Sequence, residues 1–191
     1  FSSSTITSAN YTINDPDYSG GKGGQFGNGA PRISISGNYI VAGDYNYSSA
    51  QGIAYVFDIS TFSSSTITSA NYILTNPNIR GVDDFDRFGM SVAINGNKIA
   101  VGSREQSTGG STNDGVVYVY DISNFSSSVI SSADFSMDNP DYGGSNDGGD
   151  FHGDHIGISQ DYVAVGARYE DSPFTQAGAI YIYDVSNGNL L

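Results

Sequence analysis

Residues 88–121 read FGMSVAINGNKIAVGSREQSTGGSTNDGVVYVYD, and this stretch decides the fold. It holds three short apolar runs. Met90 to Ile94 and Lys98 to Gly102 are parted by Asn95-Gly96-Asn97. An Asn-Gly pair between such runs signals a hairpin, because it tolerates positive φ. Val116 to Tyr120 follows after a polar loop. The phrase recurs before it as QFGNGAPRISISGNYIVAG with GIAYVFD, and after it as DFHGDHIGISQDYVAVG with GAIYIYD. The chain is three copies of one β unit.

Landmarks set the period. Phe1, Phe62 and Phe125 each open an FSSS phrase, and Pro16, Pro77 and Pro140 follow at the same intervals. Tyr55, Tyr118 and Tyr181 keep step, as do Asp58, Asp121 and Asp184. The repeats are thus 1–61, 62–124 and 125–187, and residues 188–191 begin a further one. Each copy opens on a Ser-rich phrase, expected as a tight turn or single helical turn over FSSS and then a strand. In the second copy Ala70, Tyr72 and Leu74 face one side of that strand, and Asn71, Ile73 and Thr75 the other. Asp15-Pro16, Asn76-Pro77 and Asn139-Pro140 stop it, since Pro cannot donate to a ladder. A polar Asp- and Gly-rich loop follows, closed in the three copies by Phe26, Phe88 and Phe151.

The next strand carries Ile33 and Ile35, Val92 and Ile94, or Ile156 and Ile158. The strand after it (YIVAG, KIAVG, YVAVG) is the most apolar, which suggests burial on both faces. The third strand alternates small or branched residues with aromatics, lining up Tyr55, Phe57, Tyr118, Tyr120, Tyr181 and Tyr183 for packing between units. The Asp that ends it is expected to cap the following turn. Residues between Phe26 and Ile33, and one extra residue in FHGDHIGIS, predict bulges at the start of the innermost strand.

The expected fold is all-β: three four-stranded antiparallel meander repeats of about 62 residues. A four-stranded sheet cannot cover both faces alone, so the units should stack as propeller blades. Three blades do not close a ring, since propellers have about four to eight. The chain is therefore either a segment of a longer propeller, the preferred expectation, or one member of a ring that several chains complete.

Charge narrows the partners. The formal net charge is −13. That disfavours nucleic acid, whose recognition needs a basic face, and anionic membranes. No apolar run approaches the ~18 residues of a membrane span. The chain has no Cys, which excludes disulfides and thiolate metal sites. It opens on Phe1 inside a repeat, so a leader and earlier repeats are not visible.

The phrase FGMSVAINGNKIAVGS…GVVYVYD resembles the FG-GAP repeat, the blade unit of integrin α-subunit-like β-propellers. Phe88-Gly89 supplies the FG. The GAP survives loosely as Gly102-Ser103, Gly43-Asp44 and Gly166-Ala167-Arg168. The resemblance covers essentially the whole chain in three copies. It implies a fold shared by adhesion receptors, bacterial surface proteins and phage virion proteins, and no single function. YDVSNGNLL and the NPN loop are most similar to the calcium-free branch in marine bacterial and phage proteins. Many FG-GAP blades carry a DxDxDG calcium loop between the first two strands. Here that place holds SGN, NGN or SQD, too short to enclose a cation wanting six or more oxygens. No cofactor is expected, although calcium elsewhere is conceivable.

Two sets of residues invite metal chemistry. Asp150, His152, Asp154 and His155, with Asp147 nearby, combine carboxylate and imidazole as zinc or manganese sites do. Asp83, Asp84 and Asp86, with Asp15 and Asp17 in the first copy, form a looser acidic series that suits a hard cation. Both sets also read as solvated loops using Asp for turn bonding. Catalysis finds no foothold in GxSxG or HExxH motifs, and the chain is expected not to be an enzyme. Loop aromatics (Tyr18, Tyr45, Tyr47, Phe85, Tyr142, Phe174) are candidates for protein or glycan contact. Loops 103–114 and 167–177 differ between copies, so specificity would lie there. The expectation is a non-enzymatic structural or attachment segment of an extracellular, cell-surface or virion protein. Its partners would be a surface protein or glycan, and further repeats in cis or in a homo-oligomer. The alternative is a calcium- or glycan-binding adhesion module.

Overall fold

The computed structural model describes residues 8–17, 26–28, 32–77, 85–107, 113–140, 149–171 and 174–191. The first copy supplies β1 (Thr12–Ile13), β2 (Ile33–Ser36), β3 (Tyr39–Asp44) and β4 (Ile53–Asp58). The second supplies β5 (Thr66–Ile67), β6 (Tyr72–Thr75), β7 (Phe88–Asn95), β8 (Lys98–Ser103) and β9 (Val116–Asp121). The third supplies β10 (Val129–Ile130), β11 (Phe135–Asp138), β12 (His152–Ile158), β13 (Tyr162–Ala167) and β14 (Ala179–Asp184). The fold is all-β.

The antiparallel sheets run β2-β3-β4-β6, β7-β8-β9-β11 and β12-β13-β14. Each fourth strand comes from the next sequence copy, so a sheet straddles two copies. Leu190 bridges Tyr183 at the corresponding edge of the third sheet. Two-residue turns at Gly37-Asn38 and Gly96-Asn97 join the first two strands, with both glycines at positive φ. The capping Asp behaves as its position predicts. Asp58, Asp121 and Asp184 accept from the backbone N–H groups of Ser60, Ser123 and Ser186.

Three details differ from the sequence reading. The single helical turn lies before the FSSS phrase, at Ile59–Thr61 and Ile122–Asn124. The TI and VI dipeptides after FSSS form β5 and β10, which pair in parallel with β1 and β6. They strap each copy to the outer strand before it. Third, the bulge at the start of the inner strand occurs in β7 as well as β12, between Phe88 and Ser91 and between His152 and His155. That shared bulge removes the extra residue counted in FHGDHIGIS. His152-Gly153 occupies the place of Phe88-Gly89, and Phe151 takes that of Arg87, both at positive φ.

The sheets stack face to face, each with two unlike faces. The face of the second sheet toward the first carries Phe88, Val92, Ile94, Val101, Tyr118 and Tyr120, packed on Val41, Ala54, Val56 and Leu74. Its other face carries Ala93, Ala100, Val117 and Val119, covered by Ile156, Val163, Val165 and Tyr183 of the third sheet. An aromatic face thus rests on a small-residue face at each interface. Strand alternation produces this, since neighbouring side chains on one strand point to opposite sides. Each fully buried large side chain contributes roughly 1.5–3 kcal/mol.

Two backbone contacts fix the spacing. A Cβ on Gly43 would overlap the carbonyl of Gly89, and one on Gly102 would overlap that of Gly153. Glycine is needed where backbones approach this closely. Beside each pair a second contact repeats: Phe88 N–H donates to the Gln51 carbonyl (3.1 Å), and His152 N–H to that of Asp114 (2.8 Å).

Candidate functional site

The strand directions separate two ends. One end holds the tight turns and the crossovers through β5 and β10. The other holds the described residues of the longer connections: 45–52, 104–107 with 113–115, and 168–171 with 174–178 between second and third strands, and 76–77 with 85–87 and 139–140 with 149–151 between sheets. Among the described residues of this acidic chain, the loop end carries Arg32, Arg87, Arg104 and Arg168.

These arginines form a belt with aromatics and carboxylates. Arg32 lies over the Tyr45 ring at 4.3 Å and Arg87 over the same ring at 5.4 Å. Arg87 pairs with Glu105 at 2.8 Å, and Arg104 pairs with both Glu105 (3.1 Å) and Asp154 (2.6 Å). Arg168 stands 3.6 Å from Asp154 and stacks near Phe151 and Tyr169. The Arg104–Asp154 bond crosses from the second sheet to the third. Arg32 is buried, has no carboxylate partner among the described residues, and donates only to the Met90 sulfur at 3.2 Å. Burial lowers its pKa, and Arg104 and Arg87 add to that. Guanidinium groups on aromatic faces suit ligands that carry carboxylate or sulfate groups.

Around the belt, Phe85 and Phe174 are 63% and 74% exposed. Tyr47 and Tyr169 are also exposed. Tyr45, expected as a free contact residue, instead lies between two arginines, and Tyr18 and Tyr142 lie outside the described residues. The third-strand aromatics are interior, and their hydroxyls brace the loops. Tyr55 donates to Asp17 (2.5 Å), Tyr118 to Gln106 (2.7 Å) and Tyr181 to Glu170 (2.8 Å).

The candidate metal ligands have separate tasks. Asp150 is buried and accepts from Asn139 at 3.1 Å. Asp86 is buried at the matching place in the second copy and accepts from Asn76 at 2.8 Å. Asp154 is engaged by Arg104, with the exposed His155 ring nitrogen at 3.3 Å. His152 turns into the core between the second and third sheets, against Tyr181 and Tyr183. Burial pushes its pKa down to about 3, so the ring is neutral. Tyr183 donates to the Asp138 carbonyl and stands 3.2 Å from His152 Nε2, which places the ring proton on that nitrogen. Asp83, Asp84 and Asp147 lie outside the described residues. Among the described residues no group of three or more His, Asp or Glu is arranged to hold a metal ion. Asp15 accepts from the Asp17 backbone at 3.0 Å, and burial raises its pKa.

Residues 81–120 and 145–183 match the family model of the FG-GAP repeat. The chain carries FG-GAP repeats. The two matches begin 64 residues apart, the offset that carries Phe88 onto His152, so the FG of the first match becomes His-Gly in the second. Stacked antiparallel sheets agree with the propeller-like fold of FG-GAP repeats, which suggests an adhesion-type domain. No curated protein matches the chain. Among the described residues no helix is long and apolar enough to cross a membrane.

The sequence reading missed the arginine belt. Its signal was present: Tyr45, Arg104 and Arg168 occupy one repeat position, two residues after Gly43, Gly102 and Gly166.

Proposed function

We propose that this chain is a non-enzymatic attachment module, part of a β-propeller at the surface of a cell or virion. It contacts its partner, a protein or glycan, through the loop end. One observation carries this reading. The exposed Phe85 and Phe174 and the arginine belt share the end where the longer loops gather. The opposite end is built of two- and three-residue turns and capped Ser-rich crossovers. Aromatic faces beside guanidinium groups complement sugars or peptides that bear acidic groups.

Retention on immobilised acidic glycans, neutral glycans and cell-surface extracts tests it. Phe85→Ser combined with Phe174→Ser should weaken retention at least ~10-fold, the loss of roughly 1.4 kcal/mol. Asn38→Ser at the opposite end should leave it unchanged. Retention that is equal for both variants, or absent on every surface, overturns the reading.

A calcium-dependent form of the module is the second reading. Asp86 and Asp150 are buried at one repeat position beside the acidic loops. Under this reading a chelator lowers the unfolding midpoint and calcium restores it. A midpoint indifferent to both rejects it.

A further inference from the structure

The third sheet ends on a vacant copy of the socket that the first two sheets fill. In the first sheet Gly43 and Gly52 are buried, and a Cβ on either would overlap the backbone of Gly89 or Phe88. In the second, Gly102 and Gly115 stand in the same relation to Gly153 and His152. Gly166 and Gly178 hold these positions in the third sheet and remain half-buried. A Cβ on Gly166 would meet only His155 of its own sheet, at 3.6 Å. A groove of about 260 Å³ opens there, lined by Gly166, Gly178, Ala179, Ile180, His155 and Arg168. The loop beside it is already shaped, since Gln176 has the positive φ of Ala50 and Asn113 at the matching positions. The small-residue face around it is uncovered. Ile180 is 74% exposed, whereas Val117, its counterpart in the second sheet, is fully buried.

The opposite end of the stack presents the complement. Phe26 lies 5.7 Å from Tyr55, as Phe88 lies 5.8 Å from Tyr118. Gly27 has the positive φ of Gly89 and Gly153. On the same sheet Ile33 and Ile35 are 59% and 61% exposed, where their counterparts Val92 and Ile94 are buried. Tyr55 and Phe57 on that face are already buried, so its uncovered part is at Ile33 and Ile35. Among the described residues, one polypeptide therefore carries an unfilled socket and a plug whose inner strand is unseated, of the kind that mate twice within it.

We propose that this polypeptide binds a second copy of itself head to tail, the Phe26-Gly27 edge of one copy seating on Gly166 and Gly178 of the next. The association continues the two internal interfaces. It is heterologous, so it yields a ring if the rotation closes and a filament if it does not. It does not rest on the loop-end reading.

Native mass by size exclusion with light scattering, across a concentration series of the 191-residue polypeptide, tests it. The expected mass exceeds the 20.1 kDa of one chain and rises with concentration. Gly166→Leu should block the socket and leave the fold intact, since φ there is not positive and the nearest atoms are at ordinary contact distance. Ile33→Asp should block the plug. Each variant alone should be a monomer with unchanged circular dichroism. Mixed, they should form a dimer, because each retains the half that the other lost. A wild-type monomer at every concentration overturns the proposal and leaves the socket to a further repeat of a longer chain. So does an oligomer that survives Gly166→Leu.

Discussion

His152 in the third sheet stands where Phe88 stands in the second. It lies 5.5 Å from Tyr181, as Phe88 lies 5.8 Å from Tyr118. An imidazole in an aromatic slot makes this interface sensitive to acid. The His152 pKa falls from 6.5 to about 3 on folding, because burial penalises the charged form. The folded state thus binds fewer protons than the unfolded state between these values. Stability is full above pH 6.5 and declines as pH falls toward 3, by roughly 1.4 kcal/mol per pH unit. Denaturant unfolding should show wild type losing about 2 kcal/mol more than His152→Phe between pH 7 and pH 5. Equal losses would place the titration elsewhere.

Tyr120 corresponds to Tyr183, but it lies 6.4 Å from the Phe125 ring, and Phe88, in the place of His152, has no nitrogen to offer. Its hydroxyl is buried without a hydrogen-bond partner. Burial accordingly pushes its pKa well above the ordinary range. An unsatisfied buried hydroxyl costs about 1–3 kcal/mol, so Tyr120→Phe should stabilise the protein by about 1 kcal/mol. The equivalent Tyr183→Phe should destabilise, since that hydroxyl serves Asp138 and His152. Thermal unfolding of the two variants checks the opposite signs.

Asp154 and Arg104 join the second and third sheets at 2.6 Å with both side chains largely buried. Removing the carboxylate leaves the largely buried guanidinium to Glu105 alone. Asp154→Ala should cost roughly 1.5–3 kcal/mol, the range for a hydrogen bond to a charged group, and added salt should restore little of it. A loss below ~1 kcal/mol would mean that solvent reaches Arg104 and that the pair is a surface ion pair.

Much of this was legible in the residues. Tyr118 and Tyr120 alternate with Val117 and Val119, and that alternation alone divides the second sheet into its two faces. The repeated Asp58, Asp121 and Asp184 announced their caps. Phe151 misled because it is aromatic and adjacent to Gly-rich sequence, whereas backbone register decides which residue fills the slot. Counting back from Ile156 and Ile158 to the His-Gly pair gives the register that side-chain type obscured. The parallel straps at Thr66–Ile67 and Val129–Ile130 left no comparable signal. Two-residue pairings have no periodicity, and their partners are distant in sequence. The arginine belt was dispersed likewise, with members 17 to 64 residues apart brought together only by stacking. His152 stands in sequence as either a candidate metal ligand or part of a solvated loop, because its proximity to Asp150 and Asp154 hides the alternation that turns it into the core.

The account depends most on the backbone contacts that seat each aromatic-Gly strand on the sheet before it. Equilibrium unfolding of Gly43→Ala and Gly102→Ala tests them most directly. Neither glycine has a positive φ, so alanine carries no conformational penalty there; any loss reports the contact with Gly89 at Gly43, and at Gly102 the contact with Gly153 together with the Ser91 hydroxyl. Backbone atoms cannot step aside as a flexible side chain can. Each substitution should cost at least about 3 kcal/mol or abolish cooperative unfolding. Stabilities within about 0.5 kcal/mol of wild type would mean that the sheets do not approach at these glycines, and would contradict the stacked arrangement.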